Sequence, residues 1–591
     1  MKRALNFLVL LPLLLSASCS SKNEKVYFEM EGAEHETYYS DDYFFLNNKE
    51  LHEEIAHVSG ALEFTCFDGT KDYQNRYKKP KKFWKSIGFS NIYFNPAFIN
   101  KPTSHSIGYG IASKTIHNDG GTYTLISTMV RGSDYEAEWI SNITIGVEGN
   151  AQGFDEAATE VKRGIEEYII NNNITGNVKF WITGYSRAAA TANMTAAKII
   201  DNKIPNVNYS DKDMYCYAYE TPMGALVSVD EARSDKYLGI HNFINYNDLV
   251  PLVAPSRWGM TRYGTDHYFP DRLNDIYFEA GVREKMVMQY HFNKRESGSG
   301  DYVIDDWKFF DVGERLAEVN NLPRESIHPS MGRSVHLLFD YLSGRIVEEP
   351  MLTRESYYVL AEGGLTELFE IFFGLSEDFE ELKIADVINV IFSSPLFNML
   401  LDDLQDGRID DFMADALSLM TSILIPKNEN RAVIDLYDKN AYFLNALATT
   451  FILRKDLCAQ FLYKGNLMGI ISPHLLALDF PFVEACDTRF MGKDACSYND
   501  GSYYILRVTN PSELYIYENN LKTNVFDYSY FEMKSNYLSA EKYYDGRIDV
   551  YLPKNGSYKI TGNYNDLSLI NVDPMLGESL VQEGLTCDYN L

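Results

Sequence analysis

The stretch Lys179-Phe180-Trp181-Ile182-Thr183-Gly184-Tyr185-Ser186-Arg187-Ala188-Ala189-Ala190 restricts this chain to few folds. An apolar run stops at Gly-Tyr-Ser-Arg-Ala and a helix of small residues follows at once. That is the pattern of a buried strand turning sharply into a helix, with a serine at the apex of the turn. The turn strains the backbone, so the neighbours of the serine must be small: Gly184 for the turn itself, and Ala188, Ala189 and Ala190 so that the helix lies close to the sheet. Patterns of this kind usually end in Gly, where this chain has Ala188, a mild departure. The plain structural alternative is an ordinary strand–turn–helix with a surface serine, and the surroundings must decide between them.

At 591 residues the chain exceeds a single core, which predicts two or three domains. A formal net charge of −29 argues against nucleic acid as a partner and against anionic membrane surfaces. The first residues read as a targeting segment: Lys2 and Arg3 precede the apolar run Ala4 to Leu15, then Ser16-Ala17-Ser18-Cys19-Ser20-Ser21-Lys22. Small residues before a cysteine and a polar tether after it resemble a bacterial lipoprotein signal, with Cys19 lipidated as the mature N-terminus. Leu15 stands one place too far from Cys19 for that pattern, so plain cleavage after Ser18 is the competing reading. Either way the expectation is an exported protein, membrane-anchored in the first case. The apolar run is too short for a lasting transmembrane helix. The remaining cysteines, Cys66, Cys216, Cys458, Cys486, Cys496 and Cys587, lack metal-ligand spacing. Neither a metal nor a cofactor is expected. Cys486 and Cys496 are near enough in sequence to pair, and export would permit it.

Composition and periodicity divide the chain into a signal at 1–19, a tether and N-terminal embellishment at 20–84, an alternating strand–helix core at 85–349, a helical cap or insertion at 350–470, a return to the core at 471–494, and a β-rich accessory domain at 495–591. In the core, Thr122 to Val130, Val178 to Thr183, Met214 to Glu220 and Asn242 to Tyr246 read as strands. Val161, Ile165 and Ile169 repeat at helical spacing within Glu156 to Asn171. Strands alternating with helices predict an α/β fold with a mostly parallel sheet covered on both faces. Near the C-terminus, Ser502 to Val508, Glu513 to Tyr517, Gly546 to Pro553 and Tyr558 to Thr561 alternate with period two between Asn, Gly and Pro turns, which predicts a small antiparallel sandwich.

An acyl-transfer serine needs a base, an orienting acid and donors for an oxyanion. The strand upstream ends in Met129-Val130-Arg131-Gly132-Ser133, and the loop after it can offer an amide and a hydroxyl at Ser133. The residue after the serine, Arg187, offers a second amide. Downstream, His241-Asn242-Phe243-Ile244-Asn245-Tyr246-Asn247-Asp248-Leu249-Val250-Pro251 sets an acid just past an apolar strand, in the chain order Ser…Asp…His. A cap or turn role is the bland alternative for Asp248.

Val130-Arg131-Gly132-Ser133, Gly184-Tyr185-Ser186-Arg187-Ala188 and Asn247-Asp248-Leu249-Val250-Pro251 resemble, in order and spacing, the three signature blocks of the fungal-type (class three) lipases. Trp258-Gly259-Met260-Thr261-Arg262-Tyr263-Gly264 is similar to a further block of bacterial members. The resemblance covers about 90–270, under a third of the chain. It implies an α/β-hydrolase core with Ser186 as nucleophile, Asp248 as acid, and Ser133 with the Arg187 amide as oxyanion hole.

The base must then follow Asp248, among His267, His291, His328, His336 and His474. In the family a histidine near the position of His267 is structural. His474, in Ile471-Ser472-Pro473-His474-Leu475-Leu476, is preferred because it ends the helical region ahead of the β domain. His336 is the alternative and His328 the third choice. The expected activity is that of an anchored serine hydrolase of carboxylic esters, with a lipid or other ester as substrate. The alternative is a non-catalytic surface lipoprotein binding glycans or host protein on a hydrolase scaffold.

Overall fold

The computed structural model describes residues 24–30, 33–66, 75–100, 103, 106–132, 142, 144–245, 248, 250–252, 258–268, 353–360, 474, 476, 479 and 483, and the strands and shorter turns of 503–590. Cys19, Ser133, His291, His328, His336, the Cys486 and Cys496 pair and most of the expected helical insertion lie outside the described residues.

A hairpin, β1 (Glu24–Met30) and β2 (Ala33–Tyr39), opens the described chain, and helix α1 (Glu53–Phe64) follows. The central sheet then forms from β3 (Ser90–Phe94), β4 (Tyr109–Asn118), β5 (Gly121–Val130), β6 (Gly176–Tyr185), β7 (Met214–Tyr219), β8 (Ile240–Ile244) and β9 (Thr265–Tyr268). Its strands lie side by side in chain order, and the short Val207–Asn208 strand joins β6. From β5 to β9 every pairing is parallel, whereas β4 runs antiparallel to both of its neighbours, β3 and β5. The parallel strands are buried on both faces and read accordingly as continuous apolar runs: all residues of β7 and β8 are buried.

Helix α2 (Gln152–Asn171) covers one face with Val161, Ile165 and Ile169, and α3 (Arg187–Asp201) lies beside it with Ala188, Ala192, Ala196 and Ala197. Burying each of those three β-branched side chains contributes roughly 1.5–3 kcal/mol. The other face is covered by α1 and the N-terminal hairpin, which share one core with Trp181, Tyr215, Tyr217, Tyr219 and Phe243. Residues before 85, set apart in the sequence by their polar, Tyr- and Lys-rich composition, thus supply a layer of the core. Trp181 Nε1 donates to Ser59 Oγ of α1 at 2.8 Å, so the strand leading to Ser186 is tied to that layer by a hydrogen bond as well as by packing.

The C-terminal region forms two antiparallel sheets. One holds Ser539–Lys542, Arg547–Pro553, Tyr503–Thr509, Asp566–Asp573 and Gly577–Gln582, in that spatial order. The other holds Leu521–Asn524, Glu513–Glu518, Tyr558–Asn563 and Tyr589–Asn590. Leu506, Val508, Val550 and Leu569 of the first sheet share an apolar cluster with Leu514, Ile516 and Ile560 of the second, as period-two alternation requires of a sandwich. Cys66 and Cys216 are free and buried.

Candidate active site

Parallel strands carry their C-terminal ends to one edge of the sheet, where α/β folds place their sites. Val130 of β5 is level with Gly184 of β6, Gly184 with Ala218 of β7, and Tyr219 with Phe243 of β8. Register alone therefore brings the residues that follow β5, β6, β7 and β8 into one row: Arg131 and Gly132, Ser186, Glu220, and the turn holding Asn245 and Asp248.

Ser186 has φ 62° and ψ −131°, a left-handed conformation that costs a non-glycine residue of order 1–3 kcal/mol. Its amide donates to the Tyr219 carbonyl at 2.9 Å, and its own carbonyl accepts from Ala189 at 2.8 Å as α3 begins. The sharpness of this turn explains Gly184. A Cβ there would lie 2.2 Å from the Ala188 carbonyl oxygen and 2.9 Å from the Ala189 nitrogen, both backbone atoms that no rotamer change can move. Gly184→Ala is therefore expected to destabilise the fold by about 3 kcal/mol or more. Thermal unfolding should show it as a fall in Tm of roughly 6–12 °C. An unchanged Tm would mean that the turn relaxes at no cost.

His474 completes the arrangement. Its Nε2 lies 2.8 Å from Ser186 Oγ and its Nδ1 lies 2.5 Å from Asp248 Oδ2. Asp248 is fully buried, His474 nearly so, and Ser186 half-buried. The second oxygen of Asp248, Oδ1, accepts the Val250 amide at 3.0 Å, and the Asp248 amide donates to the Asn245 carbonyl at 3.0 Å, so the carboxylate cannot rotate freely. With Nδ1–H donated to Asp248, Nε2 is left as the acceptor for the serine hydroxyl. Tyr185 holds the histidine from below: its hydroxyl donates to the His474 carbonyl, and its ring stacks on the imidazole at 5.0 Å and 27°.

Arg187 opens α3, directly after Ser186, and the first amides of a helix have no partner within it. The Arg187 side chain turns away, donating through Nη1 to the Ser106 carbonyl at 2.9 Å. Residues 145–149 are held by Arg354, which donates to the carbonyls of Gly146, Ile145 and Gly149 at 2.6, 2.7 and 2.8 Å. His267 lies elsewhere in the sheet. It is buried 3.0 Å from His241, and burial lowers both, His241 to about 4 and His267 to about 3, which keeps the pair neutral.

Three features of the site went unread in the sequence: the Tyr185 support, and the buried acids Glu220 and Asp479 beside Asp248. The one available signal was a glutamate closing the apolar strand next to the elbow strand. Among the described residues no group of His, Cys, Asp and Glu side chains converges as a metal site.

A family model described as lipase (class 3) matches residues 127–258. That segment carries the class 3 lipase signature. It spans β5 to the segment before β9, and so contains Ser186 and Asp248 but not His474. Among solved structures the chain is similar to the triacylglyceride lipase of Rhizomucor miehei, at 17% identity over 38% of this chain and 82% of that one, with a TM-score of 0.26. It is also similar to the lipase of Rhizopus microsporus var. chinensis, at 14% identity over 37% and 74%, and to lipase II of Rhizopus niveus, at 14% over 36% and 78%, both with a TM-score of 0.25. No curated protein matches the chain.

Proposed function

We propose that this chain is a serine hydrolase of carboxylic esters, with lipid esters as its substrate class. The observation that carries the reading is the unbroken line of hydrogen bonds from Asp248 through His474 to Ser186 at a strained elbow. In the mechanism that follows, Ser186 Oγ attacks the ester carbonyl while His474 Nε2 takes its proton. Asp248 holds the imidazole in the required tautomer and stabilises its charged form. The oxyanion is received by the Arg187 amide, at the positive end of α3, with Ser133 as the second donor. His474 returns the proton to the departing alcohol, and water then cleaves the acyl-enzyme by the same steps in reverse.

The lipid part of the proposal is supported by the class 3 lipase match over 127–258. Anchoring through a lipidated Cys19, which would keep the enzyme at a membrane surface, is proposed from the N-terminal sequence. Among the described residues no helix is long and apolar enough to cross a membrane.

Labelling by a fluorophosphonate probe, read by peptide mass spectrometry, tests the nucleophile directly. The expected result is a single adduct on Ser186, absent in Ser186→Ala, together with hydrolysis of p-nitrophenyl esters of short and long acyl chains. A folded wild-type protein that neither takes the label at Ser186 nor hydrolyses any of these esters would overturn the proposal.

A further inference from the structure

Two acids that the hydrolytic steps above do not use lie against Asp248. Glu220 directly follows β7 and has φ 49°, a conformation that glycine and asparagine take far more readily. Its amide donates to the Phe243 carbonyl at 2.7 Å, and its Oε2 accepts the Asn245 amide at 2.9 Å. Asn245 is the residue whose carbonyl accepts the Asp248 amide, so Glu220 is fastened to the turn that carries Asp248. Both carboxyl groups are fully buried, and they act on each other electrostatically. Asp479, on the segment after His474, is fully buried too and acts electrostatically on both.

A hydrogen-bond count shows what this arrangement requires. A carboxylate only accepts. Asp248 already receives the His474 and Val250 donors, one on each oxygen. Among the described residues Glu220 Oε1 meets no donor, and neither oxygen of Asp479 meets one from another residue. Two ionised carboxyls close together and out of water would repel, whereas one proton on Glu220 would let it donate a hydrogen bond to Asp248. Burial, with Asp479 and Asp248 nearby, raises the Glu220 carboxyl well above the usual carboxylate range. Burial and Asp248 do the same for Asp479.

Among the described residues, the other charged and titratable groups around the pair do not change this count. The Tyr219 hydroxyl donates to the Ala56 carbonyl. Glu63 of α1, which acts on Tyr219, is itself raised by burial. Arg262 donates to the carbonyls of Thr221 and Pro251 but is ion-paired with Asp266 at 2.8 Å.

We infer that Glu220 is a positioning residue for the hydrolytic site: its neutral carboxyl donates to Asp248, holds that side chain against His474 Nδ1, and keeps the buried acid cluster at a single negative charge. The inference rests on the Ser186–His474–Asp248 reading. It predicts opposite behaviour for two variants. Glu220→Gln keeps a neutral donor and should leave kcat/KM within about threefold of wild type, whereas Glu220→Ala removes the donor and should lower kcat by roughly 10- to 100-fold with little change in KM.

The acid limb of the kcat/KM profile separates positioning from mere packing. It should stay in place in Glu220→Gln, because a neutral group replaces a neutral group. A downward move of about one pH unit would mean that a negative Glu220 had been stabilising the imidazolium, and would overturn the inference. Infrared difference spectra of the full chain at neutral pH give a readout free of turnover. The carbonyl band of protonated carboxyls is expected in wild type and should lose one component in Glu220→Gln, and a band that this substitution leaves unchanged would also overturn the inference. A component lost in Glu220→Gln, found in a protein that hydrolyses no ester, would sink the hydrolase proposal alone, with the neutral Glu220 left standing.

Discussion

Ser186→Ala and His474→Ala are each expected to lower kcat by on the order of 10⁶, and the double variant by no more than either alone. The reason is the 2.8 Å contact between Ser186 Oγ and His474 Nε2. A serine without its base is an alcohol that keeps its proton at neutral pH, and a base without its serine has nothing to deprotonate but water. Either loss removes the whole covalent route, so the second costs nothing further. What remains, roughly 10³–10⁴ over the uncatalysed rate, would come from the oxyanion donors and substrate binding. Turnover of p-nitrophenyl esters by the three variants checks this, with near-UV circular dichroism confirming the fold. Losses that multiply would show that the two residues act separately. Near-wild-type turnover in His474→Ala would assign the base to another histidine, with His336 first in line.

Asp248→Asn is expected to lower kcat by about 10⁴ while leaving the fold intact. The direction follows from the second oxygen of Asp248. Because Oδ1 accepts the Val250 amide at 3.0 Å, an asparagine would keep its carbonyl on that side and present its NH₂ group to His474 Nδ1. Two donors cannot face each other, so the imidazole would shed the Nδ1 proton and carry it on Nε2 instead. Nε2 would then donate to Ser186 where it must accept. Turnover of the same esters, together with the fluorophosphonate labelling rate of Ser186, measures the loss, and both should fall in parallel. A variant within tenfold of wild type would reduce Asp248 to the cap of its turn, the bland alternative that its Asn-Asp…Pro setting suggests.

The legible parts of this protein share one property, which is that their causes are local. Gly184, Ser186 and the alanines of α3 sit within one strand–turn–helix, so the steric demand of the elbow is written in consecutive residues. The strands from β5 to β8 were readable because a parallel strand buried on both faces must be apolar throughout. Their arrangement in chain order then set the strand ends side by side, which is why the residues after β5, β6 and β8 were the natural places to look. The sandwich near the C-terminus was readable for the same reason, through period-two alternation. The core layer built by residues 24–64 was not: its charged and tyrosine-rich surface hides the apolar stripe Ile55, Val58, Ala61 and Leu62 of α1.

Sequence by itself determined the elbow, the parallel sheet and the acid that follows β8, because each depends on neighbours in the chain. Only the tertiary structure decided which histidine meets the serine. His474 is 288 residues from Ser186 and 226 from Asp248, and no local pattern distinguishes a histidine that will be brought across such a separation. It decided the company of Asp248 as well. Glu220 and Asp479 belong to different segments, and each looks in sequence like any other acid until folding removes the water between them. Their shared proton demand arises from that desolvation, a property of the assembled core that no single stretch of chain possesses.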